Sequence, residues 1–262
     1  MPDFPRRLLS RQSAIVGFAA LVSSCALWQL LVILSGAQRF PSFTSTVVAL
    51  AGQFPALASE ALVTLARAAA GLGMAVALMI PLGVFVARTR VLFRLFEPAV
   101  NLLRPLPPLA IVPIVMLFAG PGSAAKVWTI FYGASIPILL NTMDGVRDID
   151  PMMTQVARSL RLGRFERLAL VDLPAASPRI VAGVRLALAA SLLIGISTEM
   201  LLSADGLGSY IVRAQESFRI ADGMAALLFI ALLSLAINGA ANWTDRRLLA
   251  WNYLRREGAE HG

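Results

Sequence analysis

Histidine and cysteine are nearly missing from this 262-residue chain, which has one of each. Cys25 lies alone in an apolar run, so neither a disulfide framework nor a cysteine metal site can form. His261 sits in the C-terminal tail, which excludes a histidine metal cluster. Charge is scarce as well: 15% of residues are Asp, Glu, Lys or Arg, against about 25% in a soluble domain. No block interleaves basic and aromatic residues, so nothing points to nucleic acid. No Walker A sequence occurs. The nearest candidate, 120–127, lacks the second glycine before Lys126 and the Ser/Thr after it. The chain therefore has no phosphate-binding loop and cannot hydrolyse ATP alone. The inward-facing cluster of His, Asp or Glu that a membrane-embedded enzyme needs is absent too. There is no 20–50-residue repeat, and no two halves share matching Gly/Pro interruptions of the kind secondary transporters use.

What the chain has is apolar residues, 58% of the total, with a mean hydropathy of +0.74. Fifteen prolines and nineteen glycines fall partly inside apolar segments, which membrane helices tolerate when neighbours satisfy the freed backbone groups. The pattern predicts an all-α integral membrane protein, one transmembrane domain over 1–262, with six spans near 14–36, 61–87, 96–119, 127–143, 180–202 and 223–243. A cleaved signal peptide competes for the first, with Ser35-Gly36-Ala37 as a passable cleavage site. The uncharged run 13–38 is longer than the usual signal core of about 7–15 residues. Residues 39–59, with Pro41 and Pro55, read as a short amphipathic connection. The third span is broken by Pro105, Pro107, Pro108 and Pro113, and Leu106, Pro107 and Pro108 read as a widened stretch or a packed kink.

Six spans put both termini on one side. Of the 23 Lys and Arg residues, sixteen fall on that side, four on the other and three within spans. The positive-inside rule makes the termini cytoplasmic, together with the long loop 144–177. That loop is the one extended polar interval between spans. Asp150 followed by Pro151 reads as an N-cap and first helical position. Met153, Val156, Ala157 and Leu160 then recur at i, i+3, i+4 and i+7, one apolar stripe of a short helix. Gly163 interrupts it, 165–171 can make another turn or two, Leu173-Pro174 ends that piece, and Ser177-Pro178 caps the next helix. Two short amphipathic helices between hydrophobic spans suggest a docking element for another protein. A basic loop lying on anionic lipid is the plainer alternative.

Glu199 is the most unusual residue within a span, because intramembrane carboxylates are costly. Arg185, fourteen residues away on the same helix, is about 21 Å distant, so Arg213 or Lys126 are the candidate partners. The alternative is a carboxylate reaching the outer interface. Arg67 and Arg104 suit an anion pathway or interhelical pairing. Tyr132, Ser135, Ser197 and Thr198 are polar positions on the fourth and fifth spans, available to a pathway or to helix-to-helix hydrogen bonds.

Several stretches together resemble the permease subunits of binding-protein-dependent ABC importers, in the aliphatic sulfonate/taurine/nitrate group. TLARAAAGLGMAVALMIPLGVFVAR is similar to the family's second span, and LRPLPPLAIVPIVMLFAGPGSAAK to its proline-rich helix. PILLNTMDGVRDID, LPAASPRIVAGVRLALA and EMLLSADGLGSYI follow in the family's order and spacing. The resemblance covers about 62–251 and implies the type I ABC importer permease fold, with 144–177 as the coupling-helix (EAA) loop. The coupling positions would be Met153, Gln155, Val156, Ala157, Arg158, Leu160, Arg161, Gly163, Leu173 and Pro174. Gln155 stands where the family usually has Glu, and Arg161 where it usually has Gly. Gly163 would then take over the left-handed turn that a glycine favours. The family also has an acidic residue at Glu199, implying a gate or scaffold role.

The resemblance further implies a transport subunit in a bacterial inner membrane rather than an enzyme. Its partners would be a second permease subunit, in a homodimer, two ATPase subunits and an external solute-binding protein, in the lipid bilayer. ATP and Mg would sit on the ATPases, and this chain would hold no cofactor. The implied cargo is a small anion such as a sulfonate, taurine or nitrate, or alternatively an aromatic or heterocyclic solute. An ion-gradient-driven secondary transporter is the competing class.

Overall fold

The computed structural model describes residues 6–35, 40–202 and 204–248. Every regular element among them is helical: α1 Arg6–Ser35, α2 Phe43–Arg88, α3 Arg90–Leu103, α4 Val112–Ala119, α5 Ser123–Arg147, α6 Pro151–Ser159, α7 Arg164–Arg167, α8 Leu173–Leu202, α9 Leu207–Glu216 and α10 Ile220–Leu248. Four helical runs are long and apolar enough to cross a membrane, Phe43–Arg88, Ser123–Arg147, Arg164–Leu202 and Ile220–Asp245. The α3–α4 pair, bent by 91°, is a fifth if counted as one span, and α1 carries the shorter apolar stretch Val22–Ser35.

The centre is α5 packed between α2 and α8, and small residues set the spacing. A Cβ on Gly71 would lie 2.6 Å from the Ile130 side chain, and one on Gly183 2.6 Å from Asn141 and 2.9 Å from the Pro137 carbonyl. Lipid offers no hydrophobic drive for helix association, so close backbone approach and dispersion hold the trio together. Ala75, Ala134, Ile138 and Ala187 fill the middle layer.

Three boundaries depart from the pattern reading. Residues 43–59 are not a connection but the first part, nearly five turns, of the 46-residue α2. Ser42 caps it, accepting from the Ser45 N–H at 3.2 Å. Pro55 sits inside on an exposed face, where its ring and the carbonyl it orphans are not sealed into the core. Leu173-Pro174 does not end a helix either: α7 passes through a π-turn at Leu168–Asp172 directly into α8. The wider i→i+5 turn accommodates a proline that a tight helical turn would reject. Residues 204–222, between the fifth and sixth expected spans, contain α9, whose Leu207, Tyr210 and Ile211 pack with Leu57, Ala61 and Ala226. Burial pushes the Tyr210 phenol above its ordinary pKa, and its hydroxyl has no hydrogen-bond partner among the described residues.

Candidate functional site

Three places carry the chemistry, one at each end of the bundle and one between. At the far end from α6, the fully buried Glu199 accepts from Arg67 Nη1 at 2.9 Å, Thr64 Oγ1 at 2.8 Å and the Gly208 N–H at 3.2 Å. Arg67 reaches further, to both carboxylate oxygens of Asp205 at 2.8 and 2.9 Å and to Ser123 Oγ at 2.9 Å. Lys126 Nζ stands 3.6 Å from Asp205. Beside it Glu60 accepts from Arg213 at 2.5 Å and from the Gly206 N–H at 2.5 Å. Gly206, at φ +96°, brings its backbone against the Glu199 carboxylate, where a side chain would collide. The result is a polar clamp across α2, α5, α8 and α9.

This corrects two expectations. Glu199 pairs with Arg67 rather than with Arg213 or Lys126, and it does not reach an interface. Arg67, buried at 6% exposure, takes the interhelical pairing that the sequence offered beside an anion pathway. Sequence gave no signal for the pair, because the two residues are 132 positions apart.

The helix break forms the second place. Residues 104–107 leave the helical path between α3 and the 3₁₀ turn Pro108–Ile111. Tyr132 of α5 supports the break, its hydroxyl donating to the Leu103 carbonyl at 3.0 Å. A cavity of about 380 Å³ opens there, lined by Arg104, Leu106, Pro108, Tyr132, Asn141 and Asp144 among others. Irregular backbone at membrane depth is tolerated where it lines a cavity or is covered by protein. Of the pathway candidates, Leu106, Pro108 and Tyr132 meet on this cavity, and Pro107 is the exposed, extended residue just before the 3₁₀ turn. Ser135 and Thr198 are buried, their hydroxyls donating to the Phe131 carbonyl at 2.6 Å and the Ile194 carbonyl at 2.9 Å. Both serve the helices that hold them. Ser197 is half-buried on α8 and does not line the cavity.

The third place is the 144–177 loop. Asp150 caps α6 by accepting from the Met152 N–H at 2.8 Å, with Pro151 at the first helical position. Ala157 alone of the stripe is buried and Met153 is half-buried, whereas Val156 and Leu160 are 52% and 66% exposed. Together with Leu162, Leu170 and Pro174 they border an apolar groove of about 520 Å³. Leu173 is half-buried under the groove, and Gln155 and Arg158 are exposed on α6. The left-handed turn falls on Arg161 itself, at φ +52°. Gly163 is extended (φ −61°) and caps α7, its N–H donating to Glu166 Oε2 at 2.7 Å. The expected transfer of the turn to Gly163 does not occur.

A long apolar helical bundle with a broken helix, a buried charge clamp and a short amphipathic helix held between spans has the build of a multi-pass membrane protein. The family model described as "Binding-protein-dependent transport system inner membrane component" matches residues 79–250. The chain belongs to that family. It is 34% identical over 191 residues to the bicarbonate transport system permease protein CmpB of Synechococcus elongatus, covering 72% of this chain and 69% of that one. It is 32% identical over 186 residues to the nitrate import permease protein NrtB of Leptolyngbya laminosa, covering 71% and 67%. The fold is that of the MetNI methionine ABC transporter in its inward-facing conformation, with a TM-score of 0.63 at 19% identity over 71% of this chain and 93% of that one. A bacterial ABC transporter importing the acidic polysaccharide alginate gives 0.65 at 17% identity over 92% and 99%. The protein is thus an ABC importer permease, not an ion-gradient transporter.

Proposed function

We propose that this chain is the membrane subunit of an ABC importer for a small anion, with α6 as the element that receives the force of ATP hydrolysis from separate ATPase subunits. The observation that carries the cargo class is Arg104 on the wall of the 380 Å³ cavity at the helix break. Arg104 makes no ion pair or side-chain hydrogen bond among the described residues, so its charge is available to a passing anion. The permease relatives named for bicarbonate and nitrate support that class. A homodimer, two copies of this chain, is the simplest assembly. Solute arrives from an external binding protein. The excess of arginines around the termini and the α6 loop supports a cytoplasmic position for both.

The test is uptake into vesicles that contain the permease, its ATPase and its binding protein, supplied with nitrate, bicarbonate or an alkanesulfonate. Uptake of at least one of these stops when the phosphate-binding lysine of the ATPase is replaced. Arg104→Gln lowers uptake about tenfold, the loss of one charge-assisted contact, while leaving ATPase binding intact. Uptake that survives the ATPase lesion and follows a proton or sodium gradient refutes the reading.

A further inference from the structure

On the side of α6 away from the apolar groove is a cavity of about 610 Å³ that the transport reading does not use. Five arginines line it: Arg88 at the end of α2, Arg90 at the start of α3, Arg147 at the end of α5, and Arg164 and Arg167 of α7. Asp172 is the one carboxylate in the lining, 2% exposed. It is paired with Arg88, and its Oδ1 lies 3.6 Å from Arg167 Nε, beyond hydrogen-bond reach. That Nε is a buried donor without a hydrogen-bond partner. Arg147 stacks over the Phe93 ring at 3.6 Å and meets no carboxylate, and Arg90 and Arg164 meet none either among the described residues. The nearby Asp148 is already held by Arg179 at 2.5 Å. Arg88 and Arg167 thus share the single carboxylate, and Arg90, Arg147 and Arg164 have none among the described residues, so five guanidinium groups face one carboxylate around one open volume. Thr154 of α6 adds a hydroxyl to its wall.

So dense a set of like charges is unfavourable when empty and becomes favourable around a multivalent anion, for which guanidinium forks are shaped. We propose that this arginine cavity binds a phosphate group, joining the coupling segment α6–α7 to the ends of α2, α3 and α5. The phosphate has two sources, an anionic phospholipid headgroup or free phosphate. The walls favour the first. Next to Arg90, α3 turns Val91 and Leu95 outward at 75% and 65% exposure, one turn apart. Acyl chains can lie along that face while the headgroup enters the cavity. The inference needs no assumption about cargo or ATPase, so it stands or falls separately from the transport reading.

The experiment uses the full chain in nanodiscs of phosphatidylcholine, with and without phosphatidylglycerol, and counts retained lipids by native mass spectrometry. In a second arm, millimolar inorganic phosphate is added in phosphatidylcholine alone and the thermal midpoint is read. The variant is Arg90→Gln with Arg164→Gln, two exposed and unpaired residues, and Arg158→Gln on α6 outside the cavity is the control. The wild type and R158Q retain phosphatidylglycerol, and the double variant holds it about 30-fold more weakly, the effect of two arginines at a lipid surface. If only inorganic phosphate separates wild type from variant, the phosphate group stands and its source is the solution. Should the double variant fold poorly in phosphatidylcholine, Arg147→Gln replaces it in both arms. Equal binding of lipid and of phosphate by wild type and cavity variants overturns the proposal.

Discussion

Arg67 and Glu199, on different spans, meet at 2.9 Å with side-chain exposures of 7% and 0%. Removing one member of a buried pair strands the other without compensation, at a cost of about 3–5 kcal/mol. Glu199→Leu therefore lowers the thermal midpoint of the detergent-solubilised chain by about 10 °C. Arg67→Met costs at least as much, because Asp205 loses its bidentate partner too. Combining the two recovers part of the loss, since an apolar pair of similar volume replaces the stranded charge. Thermal unfolding of the four proteins checks this, and strictly additive losses would refute the pairing.

The turn after α6 rests on Arg161 in a left-handed conformation that costs a non-glycine residue about 1 kcal/mol. Arg161→Gly relieves that strain, partly offset by glycine's greater freedom when unfolded, and raises the midpoint by about 1–2 °C. Arg161→Val destabilises by more than about 1 kcal/mol, because a β-branched residue fits positive φ worst. Gly163→Ser stays within about 0.5 kcal/mol, its backbone being ordinary and serine a good N-cap. Chemical or thermal denaturation separates these, and a Gly163 variant worse than Arg161→Val would show that the turn sits elsewhere.

Val156 and Leu160 hold little of the fold, yet face outward beside the groove under α6. Val156→Asp with Leu160→Asp leaves the midpoint within a degree or two, as surface changes do. It weakens co-purification of the cognate ATPase about 100-fold, the loss of two apolar anchors. Pull-down of tagged permease from cells expressing both subunits measures this. Undiminished recovery of ATPase would remove α6 from the docking surface.

Local features were legible in sequence, and long-range ones were not. The Asp150–Pro151 start of α6 and the break near Pro105–Pro108 follow from backbone chemistry within a few residues. The Arg67–Glu199 pair joins helices whose mutual rotation no single-helix pattern encodes. Pro55 read as part of a connection and Pro174 as a stop, but an exposed face of α2 tolerates the first and a π-turn absorbs the second. The resemblance anticipated the family and its all-helical permease fold. It did not show that Arg161 keeps the left-handed turn in place of glycine, because that depends on which residue the hydrogen bonds of α7 leave free.

The π-turn at Leu168–Asp172 makes one helical run of 39 residues, from Arg164 through Leu202, out of what would otherwise be a loop and a span. Such a run is about 58 Å long. It begins beside the 86%-exposed Phe165 and carries Glu199 close to its other end. A displacement applied at Phe165 therefore crosses no joint of flexible chain on its way to the charge clamp. The run is one continuous lever, its helical hydrogen bonding loosened at the wide turn and again at Pro178.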